Sequence, residues 1–380
     1  MKKLDIKKVK WNHYVNYAVV FATLAVFAIL ALTGNTKSST EYLLEKLAIS
    51  ITLALSLSIV VGFLGELSLG HAGFMCVGAY IGGKVASMLD PSGKSLPVLL
   101  LTLFVGGACA AVCGFIIGLP ALRLKGDYLA IVTLAFGEIV RSLFLNSSAE
   151  SFGGALGMRT PRFSSDTLFI VGFLVVLLCM FVTQNLIRSK HGRAITSIRD
   201  NEIAARATGI NVTKYKLVAF MVSAFFAGVS GVLYSYANFN VQSRAFDYNY
   251  SIEILVMVVL GGMGNINGSI ISAALITFLN VKLATVLTGD LAVLKDLIYA
   301  LVLIAIVIYN NAPALKGFRE RYNLKALWRK IIRRPEMPSA VRDDEGEWAR
   351  VPTKIDMDEV LSLDVYVTES VVAPDKPEGK

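Results

Sequence analysis

The hydrophobic residues of this sequence are collected into long runs that carry almost no charge. Each run approaches the roughly 20 residues that a helix needs to cross the hydrocarbon core of a bilayer. A helix on the surface of a soluble protein keeps one polar face, and these runs do not. Because lipid cannot hydrogen-bond to an open backbone, continuous helices are the expected structure. The clearest runs are Tyr14–Leu32, Leu47–Leu64, Leu96–Leu119, Leu168–Ile187 and Leu291–Tyr309.

The whole pattern predicts an all-α polytopic membrane protein with eight to ten transmembrane helices. Segment 71–89 is rich in glycine, and segment 252–263 is too short to cross unaided. If both segments re-enter the membrane, eight spans remain; if both cross, there are ten. Either count is even, so both termini face the same side. The predicted spans are 14–32, 47–64, 71–89, 96–119, 128–145, 167–187, 215–236, 252–263, 266–283 and 291–310.

The distribution of Lys and Arg predicts which side is cytoplasmic, since cytoplasmic loops carry an excess of both. One face collects 22 of these residues, against six in the alternate loops, which contain Lys46, Lys94 and Arg162 among others. The basic face comprises the N-terminal arm, the turn 121–127, the loop 188–216 and the stretch 316–334. We therefore expect both termini and the loop 188–216 to be cytoplasmic.

Composition agrees with a membrane protein, because 55% of the residues are hydrophobic and 17% are charged, against roughly 25% charged in soluble domains. The net charge of +9 does not indicate nucleic acid as a partner. The basic residues lie at the ends of spans, where the insertion rule and anionic lipid account for them. The lipid bilayer is the partner that the charge pattern predicts.

Four regions follow from these patterns. Residues 1–13 form a cytoplasmic arm and residues 14–310 a transmembrane domain. Residues 311–334 are a basic juxtamembrane segment, either an amphipathic helix on the membrane surface or an ordinary positive flank. Residues 335–380 contain 12 acidic and five basic residues with little apolar periodicity, so a disordered cytoplasmic tail is predicted.

Neither a metal site nor an enzyme active site is predicted. Cys109 and Cys113 are one helical turn apart, but no His or carboxylate nearby completes a ligand set, so we interpret the four cysteines as packing residues. The three histidines are scattered, and no nucleophile motif of a hydrolase is present. We predict no catalytic residue and no bound metal.

The loop 188–216 contains the pattern of a short helix that projects from the membrane. Asp200 or Asn201 can cap its first turn, and Glu202 lies where the helix dipole favours a carboxylate. Gly209 suits a left-handed position at the end of the helix. The loop is either a docking surface for another protein or a plain connector whose bases set topology. The predicted docking residues are Arg193, Arg199, Glu202, Ala204, Ala205, Arg206 and Gly209.

Several ionisable side chains fall in or beside the spans, where a charge needs a partner, water or a boundary position. Glu138 and Arg141 are three residues apart and are expected to neutralise each other. Glu66 and His71 lie at the predicted cytoplasmic end of a span, so solvation at the boundary explains them as well as function does. Glu253 begins the short segment and is the best candidate for lining a cavity.

Glycine-interrupted segments at 65–83 and 261–268 have two interpretations. Irregular backbone of this kind marks the substrate pathway in transporters, because it is tolerated where it lines a cavity. Alternatively, the glycines allow helices to pack closely. The predicted residues of a translocation pathway are Glu66, His71, Glu138, Glu253, Gly261, Gly262 and Gly264.

Four motifs resemble the branched-chain amino-acid permease family of ABC importers. The loop contains Glu202-Ile-Ala204-Ala205 followed by Gly209, a pattern that is similar to the coupling helix of importer permeases. It has one residue more after the Glu than the general importer pattern, and in this it is similar to the form seen in the branched-chain amino-acid family. The similarity covers about 45–310 and is to the second, M-type permease subunit. The other three motifs are LSLGHAGFMCVGAY at 67–80, LRLKGDYLAIVTLAFGE at 122–138 and SIEILVMVVLGGMGNING at 251–268.

The resemblance implies a permease subunit of an importer for leucine, isoleucine and valine, or alternatively for urea or short amides, in the bacterial inner membrane. It implies a homologous permease partner, two cytoplasmic ABC ATPase subunits and an extracytoplasmic substrate-binding protein. ATP and Mg²⁺ would bind to the ATPases, and this chain would bind no cofactor. An ion-coupled secondary transporter that uses Glu66, Glu138 or Glu253 remains open. An intramembrane enzyme would need a nucleophile or a metal cluster that the sequence does not contain.

Overall fold

The computed structural model describes residues 38–124, 126–163 and 165–286, together with residues 300, 301 and 304. Eight of the ten predicted spans are therefore included. The predicted span 14–32 lies outside the described residues, as does 291–310 apart from those last three positions. The N-terminal arm, the basic segment 311–334 and the acidic tail 335–380 also lie outside them.

Helices make up almost all of the described structure, as the hydrophobic pattern predicts. They are α1 (Ser38–Ser58), α2 (His71–Leu89), α3 (Leu96–Ala121), α4 (Asp127–Leu145), α5 (Ala149–Phe152), α6 (Ser165–Arg188), α7 (Lys190–Asp200), α8 (Glu202–Ala207), α9 (Val212–Ala237), α10 (Tyr248–Gly261) and α11 (Ile266–Val286). A π-helical turn, Ile59–Leu64, extends α1, and 3₁₀ turns lie at Gly154–Leu156 and Ser243–Phe246. Strands β1 (Met158–Arg159) and β2 (Asn240–Val241) form an antiparallel pair that the sequence pattern does not predict.

Local sequence signals set several of the helix ends. Gly65 adopts a left-handed φ of 79°, which ends the π-helical turn after α1. Asn211 caps α9 and Asp247 caps α10, each by accepting a hydrogen bond from a backbone N–H of the first turn. Pro97 lies in the first turn of α3, where its missing N–H would have had no partner within the helix.

Seven helices in the described ranges are long and apolar enough to cross a membrane. One of them is α2, so the glycine-rich segment 71–89 is a continuous helix of 19 residues that follows the non-helical stretch 65–70. Helix α10 has 14 residues, which is too short to cross unaided, as predicted for 252–263. The chain is an all-α polytopic membrane protein.

Helix α9 lies at the centre of the bundle, against α2 and α3. The helices approach closely because glycines face each other: a Cβ on Gly78 would lie 2.1 Å from the backbone oxygen of Gly228. Van der Waals contact between small residues is the main source of helix association in lipid, where apolar side chains gain little by leaving the lipid tails. The prediction that glycines of this region serve close packing is confirmed at Gly78.

The glycines at the start of α2 serve a second close contact, with α4. A Cβ on Gly70 would lie 2.5 Å from the backbone oxygen of Thr133, and one on Gly73 would lie 2.7 Å from the Cα of Gly137. The backbone N–H of Leu69 also donates to Thr133 Oγ1, at 3.0 Å. The irregular segment that precedes α2 is therefore held against α4 by backbone contacts.

One face of α3 carries large apolar side chains that no described residue covers. Four side chains spaced by one or two helical turns form this face and are more than half exposed: Leu100 (54%), Phe104 (64%), Val112 (56%) and Ile116 (61%). Such a stripe would be a liability in water, but it is the surface that a bilayer requires. Helix α3 therefore lies on the lipid-facing side of the described bundle.

The end of the bundle at which α2 and α9 finish is closed by polar contacts. Tyr80 Oη donates to the backbone oxygen of Val241 at 3.1 Å, and Thr160 Oγ1 donates to that of Ser235 at 2.7 Å. In the turn after α2, the Ser92 hydroxyl donates to Asp90, which lowers the pKa of the Asp90 carboxyl. We call this end the closed end and the end that carries α7 and α8 the coupling end.

Candidate functional site

The loop between α6 and α9 folds into two helices rather than one. Ser189 begins α7 by accepting hydrogen bonds from the N–H groups of His191 and Gly192. Asn201 Oδ1 accepts from the N–H of Ala204 at 3.0 Å and so caps α8, one of the two caps that the sequence predicts. Gly209 follows α8 with a φ of +84°, the left-handed conformation expected there.

The outer surface of α8 is small and partly apolar. Ala204 is exposed, and Ile203 is 77% exposed, so a large aliphatic side chain projects beside a small one. The prediction for Ala205 is wrong, because its side chain is 3% exposed and packs inside the chain. The alternation of exposure around a single helical turn explains the difference: Ala205 is on the inner side of α8, and Ile203 and Ala204 are on its outer side.

A buried group of charges connects α8 to the bundle. Lys216, in the first turns of α9, has a side chain that is 2% exposed and forms ion pairs with Glu66 and, at 3.3 Å, with Glu202. Glu202 also pairs with Arg206 at 2.9 Å. Two cations thus balance two carboxylates, which offsets much of the cost of burying Lys216. We call Glu66, Glu202, Arg206 and Lys216 the coupling cluster.

Arg199 makes a further connection at the coupling end. Its Nη1 donates to the backbone oxygen of Gly62, in the π-helical turn, at 3.2 Å, and its Nη2 donates to Asp200 at 3.0 Å. Gly264 lies against the same place, since a Cβ on Gly62 would be 2.7 Å from the Gly264 backbone nitrogen. Helix α7 is therefore tied to the end of α1 and to the turn between α10 and α11.

The turn between α10 and α11 contains the predicted glycines Gly261, Gly262 and Gly264. Gly262 and Gly264 have φ angles of +88° and +80°, so the reversal of the chain requires glycine at both. A Cβ on Gly261 would lie 2.4 Å from the backbone carbon of Gly268, which shows how closely α10 and α11 approach. These glycines form a tight hairpin at the coupling end.

A cavity of about 350 Å³ lies between α1, α9, α10 and α11. Lys46 Nζ is in its wall, 4.4 Å from the ring centroid of Tyr234 and 5.5 Å from that of Tyr42. Glu253 Oε1, also in the wall, accepts a hydrogen bond from Asn280 Nδ2 at 2.9 Å. We call this space the tyrosine cavity, after Tyr42, Tyr234 and Tyr250 in its lining.

The tyrosine cavity and the coupling cluster lie toward opposite ends of α1. Lys46 is in the first half of that helix, whereas Gly62, in the turn that extends it, contacts Arg199. Sixteen residues of helix separate Lys46 from Gly62, or about 24 Å at 1.5 Å per residue. Of the seven predicted pathway residues, Glu253 lines the cavity, and the other six are not among its described lining residues.

His71 and Glu138 are satisfied inside the chain. His71 is 2% exposed, and its Nε2 is hydrogen-bonded to Ser56 Oγ at 2.8 Å. The interpretation that His71 and Glu66 are solvated at a membrane boundary is therefore wrong, because one is buried and the other pairs with Lys216. Arg141 forms the predicted ion pair with Glu138, at 2.7 Å.

Comparison with known proteins decides the family. The family described as "Branched-chain amino acid transport system / permease component" matches residues 39–307. The chain belongs to this permease family. It is therefore a multi-pass inner-membrane permease, in agreement with the seven apolar helices found in the described ranges.

Individual relatives of the permease agree. The high-affinity branched-chain amino acid transport system permease protein LivM of Salmonella typhimurium is 38% identical over 260 residues, which cover 60% of each chain. LivM of Escherichia coli is 39% identical over the same length and shares. The ribose import permease protein RbsC of Escherichia coli is more distant, 24% identical over 76% of this chain and 90% of its own. The chain thus spans 60% of the length of the LivM relatives. No solved structure matches.

Two lysines of the permease acquire partners that the sequence does not reveal. Lys216 was expected to be one of several loop bases that set topology, and it is the buried centre of the coupling cluster. Lys46 was assigned to an extracytoplasmic loop, but it lies within α1 against tyrosine rings. Within the described ranges, no three His, Cys, Asp or Glu side chains form a group that could hold a metal.

Proposed function

We propose that the chain is one permease subunit of an ATP-driven importer of branched-chain amino acids. It would pair with a homologous permease, two cytoplasmic ABC ATPases and an extracytoplasmic binding protein. The family match over residues 39–307 carries the proposal, and the LivM relatives favour leucine, isoleucine and valine as substrates. ATP and Mg²⁺ would bind to the ATPases, and this chain would supply part of the pathway.

The exposed surface of α8 supports docking to an ATPase. Ile203 and Ala204 present an aliphatic and a small side chain at the tip of the loop, while exposed Arg193 and Arg206 can make polar contacts around them. A partly apolar centre with a charged surround is typical of protein interfaces. Gly209, also exposed, belongs to the same surface.

The coupling cluster supports a route for force from the ATPases to the transmembrane helices. Movement of α8 would pull on Glu202 and, through Lys216, on Glu66 and the irregular segment before α2. Arg199 would carry movement of α7 to the end of α1. An alternating-access cycle needs such rigid links between the docking surface and the helices that open and close. With the coupling end in the cytoplasm, the tyrosine cavity would belong to the extracytoplasmic half of the pathway.

The proposal is tested by uptake of labelled leucine in cells that lack this chain and in cells in which it is restored. We expect restored uptake that is lost on ATP depletion and is competed by isoleucine and valine but not by ribose. Leucine uptake that survives ATP depletion and stops when ion gradients are dissipated would contradict the proposal in favour of ion coupling. Restored uptake of urea or ribose instead of leucine would contradict the substrate assignment.

Ala204→Trp is expected to weaken association with the ATPases by at least about tenfold, which corresponds to roughly 1.4 kcal/mol. The bulky ring would project from the docking surface without entering the chain's own core, because Ala204 is exposed. The measurement is the amount of ATPase that co-purifies with the permease from membranes. Ala149→Trp is the matched control, since Ala149 is also exposed but lies on α5, outside the loop. Normal co-purification of the Ala204→Trp variant would contradict the docking assignment.

A further inference from the structure

The tyrosine cavity contains a cation, Lys46, for which the described part of the chain provides no ion pair. Lys46 Nζ contacts the rings of Tyr42 and Tyr234, and in the described part of the chain no carboxylate lies within 4 Å of it. Aromatic rings stabilise an ammonium group through their faces but accept no conventional hydrogen bond. Lys46 is half-buried, and its ammonium group has three donors, for which a carboxylate is a strong acceptor.

The lining also contains the complementary charge. Glu253, oriented by Asn280, is the one carboxylate among the described lining residues. Lys46 and Glu253 thus give one cavity wall groups of both charges. A ligand with an anionic and a cationic group complements this pair. Each of its charges would meet the opposite charge of the protein.

Other lining groups indicate the rest of the ligand. The Thr277 hydroxyl is buried and has no hydrogen-bond partner among the described residues, and its side chain belongs to the cavity wall, so it offers a further polar contact. Met75, Phe246 and Val281 provide an apolar surface. The volume of about 350 Å³ is near the lower end of the roughly 300–1,000 Å³ of small-molecule sites, which suits a small ligand.

We propose that the tyrosine cavity is a binding site for the zwitterion of an apolar α-amino acid. Lys46 binds the carboxylate, Glu253 binds the ammonium group, and the side chain of the ligand packs against Met75, Phe246 and Val281. This inference rests on the proposed function in one respect, that the permease carries amino acids. It adds the residues that recognise the charged groups common to all of them.

The test is protection of a cysteine placed in the cavity wall by Thr285→Cys. Thr285 is exposed and lines the cavity, whereas none of the four native cysteines does. The rate of labelling by a methanethiosulfonate reagent is measured in membranes that contain the assembled transporter, and the parent chain gives the background. The competing ligands are leucine, 3-methylbutylamine, which lacks the carboxylate, and 4-methylpentanoate, which lacks the ammonium group.

We expect leucine to slow labelling at concentrations about tenfold or more below those that either analogue needs. Each analogue lacks one charged group, so one charge of the cavity would be left without its partner. Lys46→Met should remove the difference between the protective concentrations of leucine and 3-methylbutylamine. Glu253→Gln should remove the difference between those of leucine and 4-methylpentanoate. Lys84→Met is the matched control: Lys84 also contacts an aromatic ring, that of Phe152, but lines a different depression. Lys84→Met should change neither of these differences in protective concentration.

The site would be overturned if leucine and both analogues protect at equal concentrations. It would also be overturned if leucine still protects at lower concentrations than the analogues in both variants. The two proposals fail separately. Normal leucine uptake by the transporter without protection of Thr285→Cys by leucine would overturn the site and leave the transport function standing. Protection of Thr285→Cys by leucine, together with no leucine import by the wild-type transporter, would overturn the proposed function and support the site.

Discussion

Lys216→Met is expected to destabilise the folded permease by about 3–5 kcal/mol, the usual cost of removing one partner from a buried ion pair. The methionine side chain fills similar space, so the loss is electrostatic. Glu66, whose side chain is 13% exposed, would keep its charge without the cation that now pairs with it. Glu202 would retain Arg206 but lose its contact to α9. The measurement is unfolding of the purified permease in mild detergent, followed by far-ultraviolet circular dichroism, which reports the loss of its helices.

Arg206→Met is the matched control, because Arg206 pairs with the same Glu202 from a side chain that is 68% exposed. An exposed ion pair contributes between zero and about 1 kcal/mol, so this variant should unfold almost as the wild type does. Adding Glu66→Gln to Lys216→Met should restore part of the lost stability, because it removes the carboxylate left without a cation. Equal effects of the two single substitutions, or no recovery in the double variant, would contradict the buried coupling cluster.

Gly78→Ala is expected to destabilise the bundle at or beyond the upper end of the roughly 1–3 kcal/mol that overpacking costs. The added Cβ would lie 2.1 Å from the oxygen and 2.5 Å from the Cα of Gly228. Both are backbone atoms, so α2 and α9 would have to move apart along their contact. The loss is measured as a lower midpoint of unfolding and a smaller yield of folded protein in the membrane.

Gly137→Ala tests whether the effect comes from the close contact and not from replacing glycine in general. Gly137 is in α4, also at a helix contact, but its nearest atoms would lie 3.8 Å from a new Cβ, an ordinary van der Waals distance. Alanine favours a helix over glycine by up to about 1 kcal/mol, so this variant should be as stable as the wild type or more so. If both variants are equally destabilised, the packing argument fails.

The helices and the membrane class were predictable because they depend on local pattern. The long apolar runs correspond to α1, α3 and α6, and the glycine-rich segment forms α2. Asn201 and Gly209 predicted the cap and the end of α8, since both signals act within one turn of the chain. Boundaries shifted by several residues where capping side chains, such as Asp247 before α10, start a helix earlier than the apolar run does.

The contacts of the charged residues were not predictable, because they join parts of the chain that are far apart. Lys216 and Glu66 are 150 residues apart in sequence, and Lys46 meets Tyr234 on a different helix. A single sequence does not specify which of many carboxylates a lysine will meet. The Glu138–Arg141 pair was predictable, because its partners are one turn apart on one helix.

The same limit explains why the predicted pathway residues divide into two groups. Glu253 lines the tyrosine cavity, whereas Gly264 lies beside Gly62 and Arg199 near the coupling end. Both belong to one glycine-containing motif in sequence, but α10 separates them by most of its length. The motif therefore contributes to the cavity wall at one end and to chain reversal at the other.

The central claim is that ATP hydrolysis on partner subunits drives amino-acid import through this permease. The most direct measurement is accumulation of labelled leucine in proteoliposomes that contain the permease, its partner, both ATPases and the binding protein, with ionophores present to remove ion gradients. We predict concentrative uptake that requires ATP and stops when a non-hydrolysable analogue replaces it. Uptake without ATP that depends on an imposed ion gradient would contradict the account.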